Sequence, residues 1–205
     1  MIPQPNSSEL SDLSAEIAKC RLCADRFAKT ETAHEPRPVA VPSTTARLLI
    51  AGQAPGARVH ASGIPFDDRS GDRLRDWLGV DRPVFYDPSK LAIVPMAFCF
   101  PGYDAKGSDL PPPKLCAQTW RDRLMATMPQ VELTLLIGQY AQQWHMGQAK
   151  KRTLTDTVRA WREYGPNLLP LPHPSWRNTG WLKRNPWFAE EVLPWLRSEV
   201  SRLVA

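Results

Sequence analysis

Arg47-Leu48-Leu49-Ile50-Ala51-Gly52-Gln53-Ala54-Pro55-Gly56 is the stretch on which the fold turns. Four apolar residues run without interruption into a Gly-Gln-Ala-Pro-Gly turn. An apolar run this short, with no alternation, reads as a strand buried on both faces. The glycines and the proline then force a tight loop at its C-terminal end. In open parallel sheets ligands bind in the crevice at that end. Such a loop frees backbone N–H groups, and glycine lets another molecule approach the backbone closely. An ordinary strand-to-loop turn has the same local pattern, so the loop needs a partner elsewhere in the chain.

That partner is Leu168-Leu169-Pro170-Leu171-Pro172-His173-Pro174-Ser175-Trp176-Arg177-Asn178-Thr179-Gly180. It too is apolar and then abruptly polar. His173 stands between two prolines, which fix φ and present the imidazole with little freedom. Similar apolar runs at Leu91-Ala92-Ile93-Val94-Pro95-Met96-Ala97-Phe98 and at Val131 to Ile137 read as further strands.

Helical segments lie between and around these runs. Leu10, Leu13, Ile17 and Leu22 form a stripe, Ser70 to Leu78 ends at Gly79, and a helix from about Pro113 carries Cys116. A helix follows Gly138, another covers 154–163, and Pro186 to Val204 is amphipathic with Val192, Leu193, Leu196, Val200 and Leu203 inward. Residues 28–46, 57–69 and 100–113 read as loops, and residues 1–9 as a polar, mobile start. Strands separated by helices predict an α/β fold. The expected form is a three-layer α-β-α sandwich around a mainly parallel sheet of about four strands. No repeat or second domain is visible, so one domain is expected over 1–205.

The chain has 205 residues, 42% of them hydrophobic, enough for a substantial core. No apolar run approaches a membrane span and no secretory signal is visible, so a cytoplasmic, membrane-free protein is expected. Net charge is +5, which suits a polyanionic partner. Twenty-one prolines imply long ordered loops, and some of the eight tryptophans suit a surface that meets bases. The four cysteines are Cys20, Cys23, Cys99 and Cys116. In a chain without a signal peptide a close Cys-x2-Cys pair points to metal rather than disulfide. Zinc and an iron–sulfur cluster both accept four thiolates, and spacing alone does not choose. A phosphate-binding loop of the Gly-x4-Gly-Lys-Ser/Thr type is absent, which excludes that class of nucleotide hydrolase.

Together the two loops resemble motifs A and B of the uracil-DNA glycosylase superfamily, where a Gly-x-x-Pro-Gly-type loop and a His-Pro-Ser loop flank a flipped base. The resemblance runs from about Cys20 to the C-terminal helix and is nearest to families 4 and 5. Those families hold a 4Fe-4S cluster, which the resemblance assigns to Cys20, Cys23, Cys99 and Cys116. It implies that His173 stabilises the departing pyrimidine anion, assisted by the motif A loop around Gly52, Gln53 and Ala54. Gln53 stands where family 4 has Glu, and a neutral amide is no base. Gly63-Ile64-Pro65-Phe66-Asp67-Asp68-Arg69-Ser70-Gly71-Asp72 resembles the family 5 stretch with a water-orienting aspartate. That role falls on Asp68, with Asp67 as its neighbour and rival. Phe66 matches the aromatic ring that stacks on the flipped base. Simple helix-capping acids and a core ring fit the same residues.

The family 4 Asn that reads the uracil edge is replaced here by Pro95, followed by Met96. Neither makes paired donor and acceptor contacts, which leaves backbone groups, Gln53 or Asn178 for recognition. Ser175, Trp176 and Arg177 match the wedge entering the gap left by the flipped nucleotide, and Trp181, Lys183 and Arg184 would continue that surface. The expected function is a monofunctional glycosylase acting on uracil-containing DNA, releasing free uracil, as a monomer. The rival is an iron–sulfur module that recognises damage without cutting.

Overall fold

The computed structural model describes residues 7–205. The expected mobility of residues 1–6 therefore lies outside the described residues, while residues 7–9 already belong to helix α1 (Ser7–Ala18). Its buried side chains are Leu13 and Ile17. Leu22 does not continue that stripe: α1 ends at Ala18, and Leu22 is 55% exposed in the turn between the paired cysteines. A five-residue helix α2 (Ala24–Ala28) starts directly behind Cys23 and buries Phe27.

Strand β1 (Leu48–Ala51) is buried at every position. The segment after its loop, expected to lack regular structure, contains helix α3 (Ala57–Ser62). Gly56 precedes it in an extended conformation and Gly63 ends it at φ 76°, so two glycines bracket a helix too short to display a period. Helix α4 (Arg69–Leu78) starts at Asp68, whose side chain accepts from Gly71 N–H, and stops at Gly79 in the left-handed region. A single turn, α5 (Arg82–Phe85), is capped by Asp81.

Strand β2 (Leu91–Ile93) is shorter than the sequence run that encodes it. Pro95 lacks an N–H and cannot extend the ladder. The chain nevertheless stays beside β1 and its loop. Val94 N–H donates to Ile50 O at 3.0 Å, Met96 N–H to Gly52 O at 2.9 Å and Ala97 N–H to Gln53 O at 3.1 Å. Helix α6 (Lys114–Ala126), strand β3 (Leu133–Ile137) and helix α7 (Gln139–Met146) follow. The segment 154–163 splits into α8 (Leu154–Arg159) and a 3₁₀ turn, Trp161–Glu163. Strand β4 (Leu168–Leu171), helix α9 (Thr179–Arg184) and helix α10 (Leu193–Leu203) complete the chain, with one wide turn over Phe188–Val192 ahead of α10.

The sheet has four strands in the order β2-β1-β3-β4. All pairs are parallel, with Leu48 opposite both Leu91 and Leu133, and Leu135 opposite Leu169. The strands divide their side chains between two faces, as a period of two requires. Leu48, Ile50, Leu91, Ile93, Leu135 and Leu169 face α4, α5, α8 and α10. Leu49 and Ala92 face α1 and α6, while Ala51 and Leu136 pack with Ala117 of α6 and Ala141 of α7. This is the expected three-layer α-β-α arrangement with a parallel sheet. The five inward positions of the last helical segment, Val192, Leu193, Leu196, Val200 and Leu203, are all buried.

One local conformation couples the fold to the loop after α3. Phe66 has φ 55°, a left-handed value that costs a bulky side chain of order 1 kcal/mol or more. It is held there from several sides. Its carbonyl accepts from Tyr86 Oη at 3.3 Å, and its ring meets Phe85 edge-on at 6.1 Å. Gly71 lies against it so closely that a Cβ there would sit 1.8 Å from Phe66 O. Gly71→Ala should therefore destabilise the protein by about 1–3 kcal/mol, the usual cost of overpacking. A urea unfolding midpoint unchanged from the parent would mean that the turn at Phe66 rearranges freely.

Candidate active site

The loops after β1, β2 and β4 meet in one pocket of about 370 Å³, a volume suited to a small flat ligand. From the β1 loop come Gly52, Gln53, Ala54, Pro55 and Gly56, and from the β2 end Pro95. His173, Ser175, Trp176 and Arg177 enter from the β4 loop, while Phe66 and Asp68 come from the turn before α4. The strand order places β1 beside both β2 and β3, so the chain reverses direction across the sheet at β1. The pocket thus sits where open α/β sheets bind ligands.

His173 is fixed in orientation and in tautomer. Its Nδ1 accepts from the Ser175 backbone N–H at 3.1 Å, so the neutral ring carries its proton on Nε2. Burial pushes the imidazole below its ordinary range, with Asp68 acting weakly the other way. A neutral ring with a fixed Nε2–H is a hydrogen-bond donor suited to developing negative charge. Motif B is braced in turn by Arg73 of α4, which donates to Ser175 O at 3.0 Å and to Thr179 Oγ1 at 3.2 Å.

The two neighbouring acids separate cleanly. Asp67 turns away from the pocket and pairs with Arg82 at 3.3 Å. Asp68 lines the pocket while its Oδ1 caps α4 at Gly71 N–H, 2.9 Å away. Asp68 thus caps α4 and borders the pocket at the same time. Asn178, expected to touch the base, instead spends its amide N–H on His173 O at 2.8 Å and braces the loop from behind. Trp181 is half-buried: its indole N–H donates to Thr155 Oγ1 at 2.8 Å, and its ring packs against Trp187 and Phe188. Trp176, by contrast, is 71% exposed at the pocket mouth beside Arg177.

The model of the uracil-DNA glycosylase superfamily matches residues 38–197. The chain belongs to that superfamily. Its matched region contains every pocket-lining residue, and membership gives a DNA glycosylase-type hydrolase with DNA as its substrate partner. No helix among the described residues is long and apolar enough to cross a membrane.

Glycosylase-type chemistry gives meaning to several lining residues that sequence reasoning missed. Arg58 and Arg69 line the pocket with Arg177, and all three are exposed. Tyr103 and Asp109 reach the pocket from the segment 100–113, which folds back on itself through a Tyr103–Asp109 bridge. None of these has a local sequence signal, because each depends on contacts made across the chain.

The four cysteines lie on the other side of the motif A strand. Cys20, Cys23, Cys99 and Cys116 line one apolar recess with Phe27, Ala97, Pro113 and Trp120. All four are free thiols. Burial pushes Cys99 up to about 12 and Cys116 up to about 11. Cys20 and Cys23 act electrostatically on both, so the four sulfurs share one environment. Among the described residues no three His, Cys, Asp or Glu gather closely enough about one point to hold a single ion.

The His173 geometry has a pH consequence. A base whose folded pKa is lowered is stabilised in its neutral form. Its contribution to stability is present above the unfolded value of about 6.5 and is lost as pH falls through the lower folded value. The ring should therefore titrate below the ordinary imidazole range, and motif B should loosen only there. An NMR titration of His173 with its midpoint at or above about 6.5 would contradict the burial of the imidazole.

Proposed function

We propose that the protein is a monofunctional uracil-DNA glycosylase that flips uracil out of DNA and hydrolyses its N-glycosidic bond, leaving an abasic site. The observation that carries this reading is the convergence of His173, Asp68 and Phe66 in one pocket beneath an arginine rim. Cleavage runs through a cationic, oxocarbenium-like sugar and a departing pyrimidine anion. The Nε2–H of His173 is the donor for charge developing on the base carbonyl. The ring of Phe66 supplies a stacking face for the flipped base. The free oxygen of Asp68 supplies negative charge beside the sugar, and Gln53 contributes a neutral amide for the base edge.

Monofunctional action is supported by the identity of the cations. Arg58, Arg69 and Arg177 line the pocket. A guanidinium does not form the imine that strand cleavage at the abasic site requires, in contrast to a lysine amine. Trp176 and Arg177 are the wedge candidates, exposed and adjacent at the mouth.

Kinship with families 4 and 5 and a 4Fe-4S cluster belong to the same proposal. The apolar recess with four thiols fits such a group. Zinc and a 4Fe-4S cluster both accept four thiolates, and metal analysis decides between them. Thiolate binding to a cationic group would also reverse the upward push on Cys99 and Cys116. The cluster's role would be structural, joining the turn after α1 to the β2 end and α6. The superfamily match begins at residue 38 and so includes Cys99 and Cys116 but not Cys20 and Cys23. Aerobically purified protein should be brown and carry about four irons with equivalent sulfide, with folding yield falling in Cys20→Ala. Stoichiometric zinc would overturn the cluster assignment.

The activity is tested with an oligonucleotide carrying one deoxyuridine, followed by alkali and a gel. The parent should yield the cleaved strand. His173→Ala should lower the single-turnover rate by roughly 10²–10³, the usual cost of one such donor, with uracil-DNA affinity retained. A parent protein that binds uracil-DNA but releases no base would favour the damage-recognition module instead.

A further inference from the structure

We propose that Asp109 is the carboxylate that takes the proton of the attacking water, while Asp68 shapes the turn and faces the sugar. This deepens the glycosylase reading and rests on it. Asp109 lies far in sequence from both motifs, yet lines the same pocket as Asp68 and His173.

The position of Asp109 is set by a braced hairpin. Tyr103 and Asp109 form an antiparallel bridge, and Leu110 N–H donates to Gly102 O at 2.9 Å. At the tip Asp104 N–H donates to Ser108 O, while Asp104 Oδ1 accepts from both Lys106 and Ser108 N–H at 2.9 Å. At the base Tyr103 packs edge-on against Phe100, 5.0 Å between ring centres. These bonds close the segment into a hairpin that brings Tyr103, Gly107 and Asp109 to the pocket.

The two acids differ in what they have left to offer. Asp68 commits one oxygen to Gly71 N–H as the cap of α4. Asp109 makes no such side-chain hydrogen bond or ion pair among the described residues. Its charged neighbours are Arg177 and Asp68. Partial desolvation by the surrounding residues, the larger influence, and Asp68 raise its carboxyl above the ordinary range although the residue stays solvent-exposed, while Arg177 draws it down. A carboxylate raised toward neutrality and free to accept is the better general base. Two carboxylates with separate duties are also the usual arrangement for hydrolysing a glycosidic bond.

The step balances as follows. Water oxygen bonds to C1′ as the C1′–N1 bond breaks, and that electron pair leaves with the pyrimidine. Asp109 accepts the water proton and later returns it to solvent, where the pyrimidine anion is protonated. His173 donates a hydrogen bond to the leaving base throughout.

The experiment has two arms. In single turnover on uracil-DNA, Asp109→Asn should lose roughly 10²-fold or more in rate and also lose the acid limb of the pH–rate profile. Asp68→Asn should keep that limb and the stability of the parent, because the Asn oxygen still caps α4. Asp109→Asn within a few fold of the parent, with its acid limb intact, would overturn the assignment. The second arm needs no turnover. It compares binding of an abasic-site analogue bearing a protonated ring nitrogen with its neutral tetrahydrofuran counterpart. The parent and Asp109→Glu should prefer the cationic analogue several-fold more strongly than Asp109→Asn, whose remaining preference comes from Asp68. Equal preference in Asp109→Asn would overturn the proposal. If the parent cuts no uracil-DNA, the glycosylase reading fails while this arm still decides whether Asp109 faces C1′.

Discussion

A buried guanidinium holds the centre of this molecule together. Arg121 of α6 is 1% exposed, and its hydrogen-bond partners are all uncharged. Nη1 donates to Val94 O at 2.9 Å and to Pro95 O at 3.2 Å, while Nε and Nη2 share the Nε2 of His145 on α7. Burial and the guanidinium push His145 down to about 3, which keeps its ring neutral and able to accept. A cation this deep is tolerated only where its donors are satisfied. The consequence is a fixed turn after β2. Pro95 meets the pocket with its carbonyl already bound on the inner side, so its contribution to the floor is apolar. The same turn leads on to Cys99, and the same helix bears Cys116. One side-chain cluster therefore sets both the pocket floor and the spacing of two thiols.

The sheet and its principal loops were legible because they depend on local signals. β1 and β4 are continuous apolar runs and β3 is interrupted only by Thr134, as suits strands buried on both faces. Helix α4 was legible from its ends, Asp68 and Gly79, more than from its middle. What was missed is short or nonlocal. α2, α3 and α5 have four to six residues each, less than two turns, so no apolar period develops. The sequence run of β2 is longer than the strand because Val94, Met96, Ala97 and Phe98 are buried as deeply as strand residues, although Pro95 ends the ladder. Burial writes the apolar run; hydrogen bonding decides where the strand stops.

The same division holds within the site. His173, Gln53, Phe66 and Asp68 announce themselves through rigid, glycine- and proline-bounded loops, and all four reach the pocket. Asn178 carried the right chemistry in the right loop but faces the backbone it stabilises. Asp109, Arg73 and the Arg121–His145 pair act through partners 24 to 106 residues away or through a hairpin in polar sequence. No window on the chain reveals such groups, because their meaning lies in what the fold brings beside them.

The thiol recess and the turn at Phe66 are mechanically continuous, which bears on why a half-buried set of cysteines belongs in such a protein. The Arg37 backbone N–H faces the Cys99 thiol. The guanidinium of the same residue donates to the carbonyls of His60 and Ala61 in the last turn of α3. It also fills the space beside Gly63, where a Cβ would lie 2.6 Å from Nη2. Next to it His34 stacks on Phe27 at 5.0 Å, bonds Phe100 O at 2.9 Å and meets His60 edge-on at 4.9 Å. α2, the residues after Cys99 and the end of α3 are thus one packed unit. Gly63 and Phe66 follow directly from that unit, and Phe66 needs outside support to keep its left-handed backbone. Any group that fixes the four thiols relative to one another also fixes the start of the turn that presents Phe66, although it lies outside the pocket.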